Sequence, residues 1–170
     1  IIIVSYTFLG GYMAVCWTDF FQGIMMFLAL CIVPLIVLPA LGGWNQAVAQ
    51  IAAIDPLRVD IYSGMSFMGI VSLMVWGLGY FGQPHILARF MSVKNSAEVP
   101  KAQLVAMTWM VLSLLGAIFV GFLGFAYFAE NPLENSETVF IALTQALFNP
   151  WIAGILLAAI LAAIMSTIDS

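Results

Sequence analysis

Hydrophobic and polar positions along this chain sort into long blocks. Residues 20–54, 61–88, 102–129 and 138–168 contain no Asp, Glu, Lys or Arg. Each block is at least as long as the roughly 20 apolar residues a helix needs to cross a bilayer. Barrel strands, about 10 residues long with strict alternation, do not match such blocks. Spanning helices are therefore predicted over 17–41, 66–86, 103–128 and 151–170, with residues 1–10 as the tail of another. Gly10-Gly11 marks a turn or a tight contact. Thr18 or Asp19 is expected to cap the helix over 17–41, Pro34 and Pro39 to kink its far end, and Gly42-Gly43-Trp44 to end it. Beyond it, residues 45–64 loosen into a short surface helix and an aqueous connection.

The charged residues lie between the blocks and set the orientation. Arg89, Lys94 and Lys101, three of the four basic residues, fall in the segment 89–101, and the positive-inside tendency places that loop in the cytoplasm. Residues 42–65 and the acidic stretch 130–137 then lie outside, and the last helix runs inward from about Pro150. Asp19 and the pair Ser166-Thr167 reach the cytoplasmic half from opposite chain directions.

Composition agrees with an all-α integral membrane protein. Hydrophobic residues make up 64% of the chain and charged ones 7%, with a mean hydropathy of +1.13, against about 25% charged in soluble domains. The net charge of −4 is spread over loops and indicates no nucleic-acid partner. Cys16 and Cys31 stand in apolar surroundings and read as packing residues. The chain opens Ile-Ile-Ile-Val and stops within an apolar helix, and it is read as a fragment of one transmembrane domain.

The stretch Trp151 to Ser170 carries the candidate chemistry. It is apolar until Ser166, Thr167, Asp169 and Ser170. Residues three and four apart share a helix face, so Ala163, Ser166 and Thr167 form one stripe. Hydroxyls supplemented by backbone carbonyls suit a small hard cation. They equally suit hydrogen bonds to the carbonyl one turn earlier or to a neighbouring helix. Asp19, at a membrane boundary, either guides a cation or caps a helix. Trp76-Gly77-Leu78-Gly79-Tyr80-Phe81-Gly82 spells the dinucleotide fingerprint but lacks its βαβ setting, so that reading is rejected. On a helix, Trp76, Tyr80 and Pro84 would share a face next to the helix-breaking Gly82-Gln83-Pro84. Such a face packs against neighbours or cradles a small, partly apolar solute. Arg89 reads as a snorkelling anchor, and His85 as an interface residue. No nucleophile–base pair, metal-ligand cluster or phosphate loop is present.

Several strings together are distinctive. WGLGYFGQPHILARFM from Trp76 to Met91, FNPWIAGILL from Phe148 to Leu157, Met165-Ser166-Thr167, and Gly10-Gly11 followed by Trp17-Thr18-Asp19 closely resemble the sodium/solute symporter family, above all its proline-carrying branch. The resemblance implies a partial LeuT-like inverted-repeat transporter, comprising the end of the first core repeat and the first three helices of the second. It implies sodium as the co-transported ion, held by the carbonyl of Ala163 and the hydroxyls of Ser166 and Thr167, with Asp19 serving binding and release. Other ligands would come from a first core helix outside this chain. It further implies a proline site faced by Trp76, Tyr80 and Pro84, alternating access rather than an enzymatic reaction, a plasma-membrane location, and no obligatory protein partner. A symporter for another solute, or a symporter-like sensory domain of a signalling protein, remains an open alternative.

Overall fold

In a bilayer every backbone donor and acceptor must be satisfied within the segment that carries it, and long apolar blocks accordingly fold as helices. The computed structural model describes residues 2–60 and 65–169, with the side chains of residues 2–4, 6, 76, 80, 81, 85 and 169 outside the description. Among the described residues the chain forms α1 (Ile2–Ala40), α2 (Trp44–Ile54), α3 (Phe67–Val75), α4 (Pro84–Met91), α5 (Val99–Tyr127), α6 (Val139–Leu147) and α7 (Pro150–Asp169). Among the described residues three segments are long and apolar enough to cross a membrane: Thr7–Ala40, Ser96–Tyr127 and Pro150–Ile168.

Helix α1 breaks at one place. Gly11 has φ 59° and ψ −158°, outside helical values, a conformation open to glycine but strained for residues with a Cβ. The helix expected to start at Trp17 therefore starts just after Gly11. Thr18 is no cap: its hydroxyl donates to the carbonyls of Ala14 and Val15, both at 3.0 Å, so it and Asp19 lie within the helix. Pro34 and Pro39 also lie within α1, and the backbone keeps helical dihedrals at both.

The expected helix over 66–86 is not continuous. It runs as α3, then as a 3₁₀ segment Trp76–Gly82, then as α4. Pro84 enters the first turn of α4 and Gln83 before it is extended, φ −87° and ψ 113°. Proline has no N–H to donate and forces its predecessor out of the α region. The glycines at 77, 79 and 82 lower helix propensity just upstream. Helix α6 had no prediction of its own; it occupies the start of the charge-free block 138–168. Asn149 then accepts a hydrogen bond from the Ile152 N–H at 3.0 Å and starts α7.

Helix α1 packs against α5, α6 and α7. Ala29, Val33 and Val37 of α1, with Leu41 just beyond its end, form a buried stripe four residues apart and share one core with Val120, Leu123, Ala126, Leu143, Leu156 and Ala159. Helix α7 buries Ala153, Leu156, Ala159 and Ala162 and leaves Trp151, Ile155, Leu161 and Ile164 outward. Small residues on the seam matter because lipid tails are as apolar as leucine, so helix association in a membrane relies on close contact. At Gly116 of α5 an added Cβ would lie 2.9 Å from the Leu30 carbonyl oxygen. Trp109 and Phe27 close the same interface, ring centroids 4.7 Å apart.

Gly116→Val in the full-length protein should separate α5 from α1 and cost about 1–3 kcal/mol, lowering the unfolding temperature by several degrees in detergent. Gly121→Ala, inside α5 with nothing within 4 Å of the new methyl, should leave stability unchanged or raise it by up to about 1 kcal/mol.

Candidate ion site at the α1–α7 seam

The small-residue stripe of α7 continues past Ala159 and Ala162 to Ala163, Ser166 and Thr167, so the packing that joins α7 to α1 also delivers these oxygens. Ser166 Oγ donates to Asp19 Oδ1 at 2.7 Å. Thr167 Oγ1 donates to the Ala163 carbonyl at 2.8 Å. The four residues predicted to handle a cation thus form two bonded pairs on adjacent positions of α7. In each pair the single hydroxyl proton is directed at a carboxylate or carbonyl, leaving oxygen lone pairs free to accept. A carboxylate, two hydroxyls and a carbonyl are the donor types a hard cation requires. Among the described residues no three His, Cys, Asp or Glu cluster as a metal site, and the donor set here does not depend on such a cluster.

Asp19 has a second partner. Arg89 Nη2 lies 2.6 Å from Asp19 Oδ2, with the aspartate side chain 17% exposed and the arginine 51%. Read from sequence, Arg89 is an anchor; in the structure it is the counter-ion of Asp19, seventy positions away. One signal could have found the pair. Asp19 closes the chain just before the block 20–54 and Arg89 just after 61–88, so both stand at the same membrane boundary. A further contact fixes α4: Ser92 Oγ donates to the Arg89 carbonyl at 2.8 Å. Ser92 Oγ also lies 2.7 Å from the Tyr12 hydroxyl, which is therefore the donor. Helix α4 is held to α1 at Tyr12 and Asp19, two turns apart on one face.

The predicted solute face is placed differently. Trp76 and Tyr80 fall in the 3₁₀ segment, and their side chains lie outside the described residues. In a 3₁₀ helix, with three residues per turn, positions four apart diverge by about 120°. The α-helical spacing that would give Trp76, Tyr80 and Pro84 a shared face does not apply there. Pro84 is exposed at the first turn of α4. At the far end of α5 a cavity of about 390 Å³ is lined by Ile54, Arg58, Phe125, Phe128 and Val139, among others; none of the predicted site residues borders it.

The sequence model described as Sodium:solute symporter family matches residues 1–170. The chain belongs to the sodium:solute symporter family. Its relatives include the sodium/proline symporter of Salmonella typhimurium (strain LT2), 51% identical over 172 residues, which covers 98% of this chain and 34% of that protein. The sodium/proline symporter of Staphylococcus aureus is 50% identical over 171 residues, covering 99% of this chain and 33% of that protein. The chain spans about a third of the length of these curated relatives. No solved structure matches it.

The Asp19–Arg89 pair is half open to its surroundings, between a surface pair and a buried one. A double-mutant cycle with Asp19→Asn and Arg89→Gln, read as unfolding free energy in the full-length protein, should give a coupling of about 1 kcal/mol. Removing Arg89 alone should be the more damaging single change, because it leaves the less exposed charge without its partner.

Proposed function

We propose that this chain is part of a sodium-coupled proline symporter of the plasma membrane, working by alternating access and catalysing no chemical reaction. The observation that carries this reading is the Ser166–Asp19 bond, which joins two apolar helices at a focus of oxygen ligands. A carboxylate and a hydroxyl held together where two apolar helices meet are costly unless they serve an ion or one another. The family match and the names of the relatives support sodium as the ion and proline as the solute. In this reading the helices form part of a LeuT-like inverted repeat, the end of the first core repeat and the start of the second. The segment 89–101 faces the cytoplasm.

Sodium first meets the carbonyl of Ala163 and the hydroxyls of Ser166 and Thr167, together with oxygens supplied by a helix outside this chain. The bound ion ties that helix to α7 and stabilises the form open to proline. Proline is received at Trp76, Tyr80 and Pro84, where the 3₁₀ segment and the extended Gln83 interrupt regular helix. Interrupted helix is the usual place for transported solutes, because freed backbone groups there are available for binding. Closure exposes both to the cytoplasm, and Asp19 receives the departing ion. The membrane potential contributes about 2.3 kcal/mol per charge per 100 mV. An ion shifts the equilibrium only as far as it binds one form better than the other, so the ligands on α7 must be complete in one form and incomplete in the other.

Ser166→Ala and Thr167→Ala in the full-length transporter should each raise the sodium concentration for half-maximal proline uptake about tenfold or more. The amount of protein in the membrane should stay within about twofold. An unchanged sodium half-saturation in both variants would contradict the site, and sodium-driven uptake of another solute in preference to proline would contradict the substrate.

A further inference from the structure

The cavity at the far end of α5 belongs to neither the ion site nor the solute segment, and its position follows from the residues that build it. Helix α2 packs against α5, with the Trp44 ring stacked on Phe122 at 5.5 Å between centroids. Asp55 ends α2 and starts a short 3₁₀ turn, Pro56–Arg58, by accepting the Leu57 N–H at Oδ1. That turn sets Arg58 against α5, its guanidinium 4.3 Å from the centre of the Phe125 ring. On the other side the connection to α6 and the helix itself contribute Ser136 and Val139. About 390 Å³ remains between these walls.

The place and the lining of this space point to an amphiphile. Its α5 wall runs from Gly121 to Phe128, roughly 10 Å along the helix axis, and the apolar span that contains α5 ends at Tyr127. The cavity therefore reaches from the headgroup level of a bilayer into the level of the chains. Its chemistry changes over the same distance: Gly121 and Phe125 lie within the span, whereas Arg58 and Ser136 come from connecting segments outside it. Arg58 uses Nε on Asp55 Oδ2 at 3.1 Å, and its two terminal nitrogens carry four further N–H donors in the fork that matches a phosphate. Yet the rim is not positive. Asp55 and Asp60 flank Arg58 in sequence, and Glu130, Glu134 and Glu137, all exposed, each directly follow a residue that borders the cavity. A free anion, or a lipid head of net negative charge, meets one guanidinium among these carboxylates and is disfavoured. A head with an ammonium beside its phosphate satisfies both signs.

We propose that this cavity binds one phosphatidylethanolamine molecule. Its phosphate meets Arg58 and Ser136, its ammonium turns to the carboxylates of the rim, and the first part of one acyl chain lies along Gly121 and Phe125. Ethanolamine is preferred to choline because its N–H groups donate hydrogen bonds to carboxylates, which a quaternary ammonium cannot. Gly121 keeps the chain's place open: a Cβ added there meets nothing within 4 Å. The bound lipid joins the turn after α2, the end of α5 and the start of α6.

The test uses the full-length protein purified in detergent and supplemented with palmitoyl-oleoyl phosphatidylethanolamine, phosphatidylcholine or phosphatidylglycerol, for wild type, Arg58→Gln and Gly121→Leu. Mass spectrometry of the intact complex counts retained lipid, and the unfolding temperature reads its effect. Wild type should retain one phosphatidylethanolamine in preference to the other two lipids and unfold several degrees higher with it. Each variant should bind that lipid about tenfold more weakly, one through loss of a charge-assisted phosphate contact and the other through loss of the chain's space. Each should also lose the lipid-dependent rise in unfolding temperature. A purely structural role of either residue lowers the unfolding temperature equally with and without lipid, and that pattern in either variant overturns the proposal. If Arg58→Gln does not reach the membrane, Gly121→Leu decides. Equal retention of the three lipids overturns it, as does a wild type that retains none because another part of the protein fills the cavity. The same stabilisation by soluble phosphoethanolamine or inorganic phosphate also overturns it, since the ligand is then a free anion and not a lipid. Proline uptake is not among these readouts, so failure here leaves the symport reading standing.

Discussion

The structure turns on the Asp19 carboxylate. It sits within a long apolar helix, where an isolated charge would be expensive, and it is tolerated because two other helices bring partners to it: Arg89 from α4 and Ser166 from α7. Each oxygen of the carboxylate faces a different helix. One ionised group therefore joins three segments, α1, α4 and α7. Helix α4 in particular exposes Leu87, Phe90 and Met91, and its named links to α1 are polar ones, at Asp19 and at Tyr12.

That junction is possible only because the seam above it is narrow. The stripes Ala29-Val33-Val37 on α1 and Ala153-Leu156-Ala159-Ala162 on α7 are built mostly of short or β-branched side chains. Longer ones would hold the helix axes apart and leave the Ser166 hydroxyl short of the carboxylate. Gly116 performs the same service between α5 and α1. The broad apolar surface that remains, including Trp17, Phe20 and Phe21, is compatible with lipid.

Much of this was legible from residue pattern. Charge-free blocks mark the helices because charge is what a bilayer excludes most strongly, and Gly11 and Pro84 mark breaks through their own backbone limits. Spacing could place Ala163, Ser166 and Thr167 on one stripe. It could not show that Thr167 bonds the carbonyl of Ala163 while Ser166 reaches another helix, since that depends on the register between α1 and α7. The 3₁₀ run was missed because an α-helical period was applied across three glycines, where the backbone tightens. The ion pair of Arg89 was not legible because its partner is remote in sequence, although both residues border charge-free blocks.

In the proposed transporter, the shared carboxylate also explains how ion and solute segments can be connected. A sodium ion arriving at Asp19 repels the guanidinium of Arg89 and competes with it for the same oxygens. Linkage makes this reciprocal: if sodium weakens the hold on Arg89, then anything that draws Arg89 away strengthens the hold on sodium by the same free energy. Arg89 lies on α4, and α4 follows directly from the 3₁₀ segment that carries Trp76 and Tyr80. Occupation of the solute segment can therefore move the helix that bears the competing cation, without any longer route through the core. Because Ser92 binds the Arg89 carbonyl and Tyr12 binds Ser92, such a displacement would be resisted until both contacts to α1 give way together, which favours two discrete positions of α4 over a continuum.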